Sequence, residues 1–461
     1  MVYRISPEIK KAMNILDVAR QEALKDTSRP GYHYASPAHL MVDVWGGIYH
    51  KDKYHIFYDI NYDNNPERMN GAIGHLISEN MIDWQELPMA FVPAENKREI
   101  SLNDGCITIT PDGKPLIWYT RKFYKEFMPV HIPAYGSDDL VYWERLEDYA
   151  ITMKNHGGPL YKKWTDPLIF KEDGRYFMII SSATLSRDGD MVIDWRAHPD
   201  DRLPIYEATD DSLLNWEYRG NMADHTGEVC NFIKIRDKWV LIYSPYDKPR
   251  YFVGTFDIET YRFNCEKEGI LTYGYIQQGC CGDLSRGFYA TNSFYGKDGI
   301  PYIIGWITGF ENPKGWDGCI SIPRTLELAD DLSLIMKPAP QLKEIRDDKV
   351  DICNTNDIKC TRSFELNLTA KGKICIKCDD YFCLTVENGK AMFNDIEAKF
   401  TPDDITKVNM YIDITTAEIF FDGGKTSITR CFKELPENVT ISVTCDEKTQ
   451  ELEIYNLRSI N

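Results

Sequence analysis

Basic residues are in short supply: 53 Lys and Arg stand against 71 Asp and Glu, a formal charge of −18. Nucleic acid and anionic membrane surfaces need basic patches, so the balance argues against both as partners. Also missing is any apolar run close to the roughly 20 residues of a membrane span. The opening stretch, MVYRISPEIKKAMNILDVARQ, has neither the apolar core nor the cleavage site of a signal peptide, which sets the expectation of a cytoplasmic protein. Cysteine pairing is absent as a pattern, since the thirteen Cys are odd in number and scattered, and they read as reduced thiols. Cys375 and Cys378 fall within a strand-like stretch and lack a second pair, and Cys280-Cys281 has no partner motif either. No metal and no cofactor are expected.

What the chain does have is a repeat. Residues Leu40 to Asp59, LMVDVWGGIYHKDKYHIFYD, read as a strand, a polar turn at Lys51-Asp52-Lys53 and a second strand of aromatic and aliphatic residues. Asp43 is placed at the mouth of the first strand. Asp104 likewise precedes a turn at Asp112-Gly113, Asp166 one at Asp173-Gly174, and Glu228 one at Asp237-Lys238. The fifth copy turns at Asp298-Gly299, with Asp283 as its nearest upstream acid. The steps between turns are 60, 61, 64 and 61 residues. A fixed period of strand pairs marks a radial array, and five repeats of this length predict a five-bladed β-propeller with four strands per blade. Innermost strands would line a channel, so acids far apart in sequence would converge on one axial pocket. Like charges so placed raise one another's pKa, a cost that implies a task.

The rest of the chain frames this array. Ser6 to about Asp26 reads as an amphipathic helix with Ser6 as N-cap, Pro7 in the first turn, and Ile9, Met13, Leu16 and Ala19 on one face. Trp84, Trp143 and Trp216 recur after polar turns and are expected to open outer strands and cover blade-to-blade packing. Pro338, Pro340 and the charged run Lys343 to Lys349 read as a linker. Seven or eight short alternating strands from Ser363 to Leu457 then predict a β-sandwich. The expected division is 1–30, a helical extension; 31–337, the propeller; and 338–461, the sandwich.

An acid ring in an axial pocket has three explanations: a bound cation such as Ca²⁺, glycosidic bond cleavage by two carboxyl groups, or acids capping turns and pairing with Arg and Lys. Glu228 lies in His225-Thr226-Gly227-Glu228-Val229-Cys230-Asn231-Phe232, with few opposing charges, a setting expected to keep a proton ready for a leaving oxygen. Asp43, beside Gly46 and Gly47, is better placed to stay ionised and attack. Asp166 in Trp164-Thr165-Asp166-Pro167 suits acceptance of sugar hydroxyls.

Further pieces carry a resemblance. Tyr54-His55-Ile56-Phe57-Tyr58, Trp84-Gln85-Glu86-Leu87-Pro88, Gly287-Phe288-Tyr289-Ala290, Gly305-Trp306, Gly315-Trp316, Ser321-Ile322-Pro323-Arg324 and Lys337-Pro338 with Gln341-Leu342 follow in order. From about Arg29 to its end the chain resembles glycoside hydrolase family 32, the family of invertases, fructanases and sucrose-6-phosphate hydrolases. The resemblance implies a five-bladed β-propeller followed by a β-sandwich. It implies Asp43 as nucleophile in Leu40-Met41-Val42-Asp43-Val44-Trp45-Gly46, Asp166 as transition-state stabiliser, and Glu228 as acid/base. It implies double displacement through a fructosyl–enzyme intermediate, with the Asp43 and Glu228 carboxyl groups about 5–5.5 Å apart.

The chain departs from the family pattern where the pocket for the terminal fructose is shaped. Val42 and Trp45 replace two Asn of the nucleophile motif, Thr165 replaces an Arg, Asp59 a Gln, Ile73 a Trp, and Asn103-Asp104-Gly105-Cys106 stands for F-S-G-S. Trp45, Asp59, Asn103, Asp104, Thr165 and Trp306 are therefore the expected substrate-binding residues. The expected substrate is a small carbohydrate, an unusual fructoside in place of ordinary sucrose or levan, and the reaction is hydrolysis or an intramolecular fructosyl transfer. Two rivals stand beside this: an inverting arabinan or xylan hydrolase like family 43, and a propeller that binds sugar without cleaving it. The composition is compatible with a homo-oligomer.

Overall fold

The structure, a computed structural model, describes residues 5–65, 71–94, 99–123, 129–184, 202–276, 286–401, 405–447 and 449–460. Asp283 and the Cys280-Cys281 pair lie outside the described residues.

Strand pairs joined by polar turns build five successive antiparallel meanders. The first contains His39–His50, Lys53–Ile60, Ala72–Ser78 and Gln85–Phe91, and Trp316–Asp317 adds in parallel at its inner edge. The second contains Glu99–Ile109, Pro115–Phe123, Val130–Gly136 and Trp143–Arg145. The third contains Tyr161–Glu172, Arg175–Thr184, Leu203–Ala208 and Trp216–Ala223. Glu228–Ile235, Lys238–Ser244, Arg250–Asp257 and Arg262–Ile270 form the fourth. Gly287–Tyr295, Pro301–Thr308, Arg324–Leu328 and Leu334–Pro338 form the fifth, with Cys319–Ile320 alongside. The first strands of the sheets touch one another in cyclic order, and the fifth returns to the first. At that return Gly47 donates its N–H to the Asn292 side chain at 2.7 Å. A Cβ on Gly47 would lie 2.2 Å from Phe294, so only glycine allows this approach.

Trp143 and Trp216 behave as their spacing predicts, while Trp84 sits just before the strand Gln85–Phe91. Trp143 and Trp216 open fourth strands, and their indole N–H groups bond Leu140 and Leu213 carbonyls three residues back. Trp143 meets Phe57 and Phe91 of the first sheet, while Trp216 meets Trp118 of the second. The helix runs Pro7–Ala23 with Ser6 capping Ile9 N–H at 3.2 Å, and Leu16 is buried with Ile9, Met13 and Ala19 packed beside it. Among the described residues no helix is long and apolar enough to cross a membrane.

The run after Pro338 is not a free linker. Pro340–Ile345 is a short helical turn that buries Leu342 and Ile345, and Arg346–Lys349 is a strand paired with Glu451–Leu457. It begins one of two six-stranded antiparallel sheets. These enclose a shared apolar core that includes Phe364, Leu366 and Met410 from one sheet and Ile374, Ile376 and Ile441 from the other. Strands Ile358–Thr361, Lys390–Phe393 and Ile396–Lys399 are short and were not visible as alternating runs.

A buried charge network ties these sheets to the meanders. His33 contacts Asp413 through Nδ1 and Glu418 through Nε2, each at 2.8 Å, and Glu418 also holds Arg324, all four side chains being inaccessible. Asp413 further accepts the N–H groups of Gly31, Tyr32 and His33. Burial opposes the His33 charge, but its two carboxylate partners win and raise its pKa from 6.5 to about 9. Burial likewise opposes ionisation of Asp413 and Glu418, yet their partners hold both below their ordinary 3.8 and 4.5. The His33 contribution is complete below pH 6.5 and is lost as pH rises through about 9. The carboxylate contribution is complete above about pH 4.5 and is lost in acid. Thermal unfolding will show greatest stability between these limits. Substitution of His33 by Leu will cost about 3–5 kcal/mol at pH 6, because it strands buried carboxylates. It will also remove the alkaline slope, whereas parallel wild-type and variant curves from pH 6 to 9 would show that the network carries no charge on His33.

Candidate active site

A strand lining a channel presents alternate side chains to the axis, and here every first strand breaks that alternation at an equivalent place. Val42 opposes Asp59 and Val44 opposes Tyr58, so Asp43 is an extra, unpaired residue at φ 26°. The slip recurs at Asp104, between Asn103 and Gly105, and at Asp166, with φ 59°, between Thr165 and Pro167. It recurs after Glu228, where Val229 has φ 49°, and at Ala290, with φ 43°. Such β-bulges bend the strand and re-aim a side chain. They fall 61 to 63 residues apart, and every sheet has one at this place. Asp43 is thus mid-strand, not at the mouth of the strand. In the fifth sheet the equivalent position is Ala290, so the bulge there carries a methyl group and no acid.

The bulges create two rings of positions. Asp43, Asp104, Asp166, Val229 and Ala290 occupy the extra residue, while Val42, Asn103, Thr165, Glu228 and Tyr289 precede it. Beyond the bulges, residues 46–48, 106–109, 168–171, 232–234 and 292–295 of all five first strands line a cavity of about 410 Å³. The acids therefore sit around the axis that these strands share.

The carboxyl groups of Asp43, Asp59 and Asp104 each offer an oxygen within 4.8 Å of the others. Burial, then the charges of Glu228 and Asp166, push the Asp43 carboxyl up to about 7. Burial and the neighbouring Asp43 and Asp59 push Asp104 well above the carboxylate range. Asp166 accepts the Val229 N–H at 3.0 Å and the Thr165 hydroxyl at 2.5 Å, and its own N–H reaches Thr120 Oγ1 at 3.0 Å. Burial raises its pKa, with Lys163 opposing and Glu228 adding.

Glu228 is not in the apolar setting expected of it. Lys163 forms an ion pair with its Oε1, Tyr246 donates to the same oxygen at 2.7 Å, and Tyr289 donates to Oε2 at 3.1 Å. Lys163 also reaches Tyr246 OH at 3.0 Å. Burial works against the Lys163 ammonium, but Glu228 more than compensates and raises its pKa.

The profile described as the glycosyl hydrolases family 32 N-terminal domain matches residues 33–338, which span every bulge and every acid above. The chain belongs to glycosyl hydrolase family 32. It is 24% identical over 357 residues to a sucrose-6-phosphate hydrolase of Escherichia coli, covering 70% of this chain and 66% of that protein. It is 26% identical over 430 residues to an insoluble β-fructofuranosidase of Oryza sativa, covering 83% of this chain and 65% of that one. The chain thus spans just under two thirds of the length of these curated relatives. In fold it is similar to a Lactobacillus gasseri sucrose-6-phosphate hydrolase, with TM-score 0.80, 20% identity and 97% of both chains covered. It is also similar to a Bombyx mori β-fructofuranosidase, with TM-score 0.77, 21% identity and 99% of both chains covered.

Within this family 32 chain, the expected wall residues fare unequally. Trp45 is not a pocket wall. It is fully buried among Phe57, Ile73, Phe91, Leu102 and Tyr119, because its ring fills the seam between the first two sheets. Its indole N–H donates to Asp59 Oδ1 at 2.8 Å, so it acts on the site only through that carboxylate. Asp59 itself is fully buried and reaches the axis as a member of the acid cluster. Asn103 accepts the Ser101 hydroxyl at 3.0 Å, and Thr165 is committed to Asp166. Trp306 is half-buried beside Val229, Tyr275 and Tyr289, and its indole N–H has no acceptor among the described residues.

Sequence reading missed Lys163, Tyr246 and Tyr289. Two signals were available. Lys163 is two residues before Thr165 and shares its strand face, supplying a cation next to the position where the family's Arg is lost. Tyr289 is 61 residues after Glu228, at the equivalent place in the next repeat.

Removing the indole donor strands a buried carboxylate. Substitution of Trp45 by Phe will therefore destabilise the protein by about 1–3 kcal/mol in urea unfolding. A loss below about 0.5 kcal/mol would show that the bond to Asp59 holds nothing.

Proposed function

We propose that this chain is a retaining hydrolase of β-fructofuranosides, built as a five-bladed β-propeller followed by a β-sandwich. The cyclic contact of five first strands supports the propeller, and the shared core of two six-stranded sheets supports the sandwich. The observation that carries the function is the bulge ring, which gathers Asp43, Asp166 and Glu228 close enough for their charges to act on one another. Family membership favours this retaining reading over an inverting arabinan or xylan hydrolase.

In the first half-reaction the Asp43 carboxylate attacks the anomeric carbon of the fructosyl group. Glu228, protonated in the substrate complex at the expense of its pair with Lys163, gives that proton to the departing oxygen, and an ester to Asp43 forms. In the second half-reaction Glu228, now a carboxylate beside Lys163, takes a proton from water, whose oxygen displaces Asp43 and restores both groups. The mechanism requires the two carboxyl groups to be about 5–5.5 Å apart. In this reading Asp166, ordered by Thr165 and the Val229 N–H, accepts sugar hydroxyls. Extra carboxyls at Asp59 and Asp104 and the loss of four amide or guanidinium side chains favour a fructoside other than plain sucrose.

The test is release of fructose from sucrose, 1-kestose and longer fructosides by purified protein. Substitution of Asp43 by Asn or of Glu228 by Gln will lower kcat by at least about 10³-fold. Unchanged activity in either variant removes that residue from its role. Because attack needs Asp43 ionised and its carboxyl titrates at about 7, kcat/KM will fall as pH drops below neutrality. A rate that is flat from pH 5.5 to 7.5 would contradict this assignment.

A further inference from the structure

Three carboxyl groups crowd one desolvated corner of the site, and they cannot all be anions. Asp59 is on the second strand of the first sheet, Asp43 on its first strand, and Asp104 on the first strand of the second sheet. All offer oxygens within 4.8 Å of one another. Their surroundings differ. Asp59 receives the Trp45 indole N–H, which favours its anion. Asp43 is half-buried and has Lys122 as the cation acting on it. Asp104 is 3% exposed, and its Oδ1 has no hydrogen-bond partner among the described residues. The charges that act most strongly on Asp104 are negative: Asp43 and Asp59 from the first sheet and Asp166 from the third. The fourth sheet adds Glu228 to the field at Asp43, and the fifth has Ala290 at its bulge. Two carboxyl groups in contact are stable when one proton lies between them. The buried group with no donor of its own is the one to carry it.

We propose that Asp104 is a positioning residue that stays protonated and donates its hydrogen to the Asp43 carboxylate, fixing the nucleophile and favouring its ionised form. The role rests on the reading of Asp43 as the nucleophile. It makes Asp104 a donor toward Asp43, whereas a pocket acid was expected to act as an acceptor for sugar hydroxyls. An Asn side chain keeps a donor at this place without a titrating proton, whereas Ala keeps neither.

Two variants, D104N and D104A, therefore separate the roles. The D104N-to-wild-type ratio of kcat/KM for a cleaved fructoside will rise at least about 10-fold between pH 6 and pH 9, because only the wild type can lose its donor. In D104A the acidic limb of kcat/KM will move upward by about one pH unit, as Asp43 loses the hydrogen bond that favours its anion. A group that keeps its proton in the folded state but releases it when unfolded destabilises the fold increasingly as pH rises above the unfolded value. The melting temperature of D104N will accordingly gain on wild type as pH increases from about 4. This arm needs no substrate. Wild-type protein will also show the infrared carbonyl stretch of a protonated carboxyl at pH 7, which needs neither substrate nor a folded variant.

Parallel pH dependences for wild type and D104N, in rate and in melting temperature, overturn the proposal while leaving Asp43 as nucleophile if D43N is inactive. Absence of the protonated-carboxyl band at pH 7 overturns it as well. So does a rise in wild-type melting temperature on adding Ca²⁺ or Mg²⁺ that D104N lacks, since a cation would then hold the carboxylates together. Failure to cleave any fructoside, with the melting and infrared results as expected, overturns the enzymatic reading and leaves the shared proton in place.

Discussion

A β-strand shows every second side chain to one face, so a channel lined by regular strands could not present two adjacent residues to its axis. The extra residue in each first strand removes that restriction. It turns a backbone step toward the left-handed region and lets a bulge residue and its predecessor belong to one site. Asp43 and Asp166 accept such φ values at modest cost, since aspartate visits that region more readily than most residues. Val229 does not, because a β-branched residue at φ 49° is a strained position. Its compensation is visible: the strained peptide aims its N–H at Asp166, 3.0 Å away. Backbone strain is thereby converted into the orientation of a carboxylate.

The same geometry explains why the corner is so acidic and still stable. Repulsion among buried carboxylates is met by three different devices. Asp166 is satisfied by a backbone N–H and a hydroxyl, Glu228 by an ammonium and two phenols, and Asp59 by an indole. Each device comes from a different place in the sheet array, so the balance of the site depends on packing between sheets. Trp45 shows this most directly, since a residue in the seam between sheets supplies the donor to an acid on the axis.

Much of the architecture was legible because it is periodic. Polar turns at near-constant steps, alternating apolar runs and recurring Trp residues all reflect one unit copied five times, and the strand pairs follow them. The three acids were legible for the same reason. What could not be read was contact between repeats. Lys163 reaches Glu228 across 65 residues, and Tyr246 reaches it from a loop, so neither shares a pattern with its partner. The bulges were equally hidden, because an inserted residue leaves the turn spacing nearly unchanged. That is why Asp43 was placed at a strand mouth and an upstream acid was sought for the fifth repeat where Ala290 stands. The charged run at Lys343 to Lys349 misled in another way: polar residues on an edge strand look like a linker when only one face of the strand is packed.

The C-terminal sheets also have a physical route to the site. Tyr273 pairs in parallel with Ile428, its N–H bonding the Ser427 carbonyl and its carbonyl accepting the Thr429 N–H. Arg430 holds the Gly274 carbonyl at 3.0 Å, and Gly274 approaches the Thr429 backbone so closely that any Cβ would collide with it. Two residues beyond Tyr273, Tyr275 stacks on Tyr289 at 4.1 Å between ring centroids. Tyr289 in turn donates to Glu228. The strand Thr426–Cys431 of the C-terminal sheets thus fixes a segment that fixes an aromatic ring that holds the acid. The C-terminal sheets, which contribute no carboxylate to the acid cluster, therefore help to hold Glu228, and Arg324 of the His33 network bonds Thr429 of that same strand at 2.8 Å.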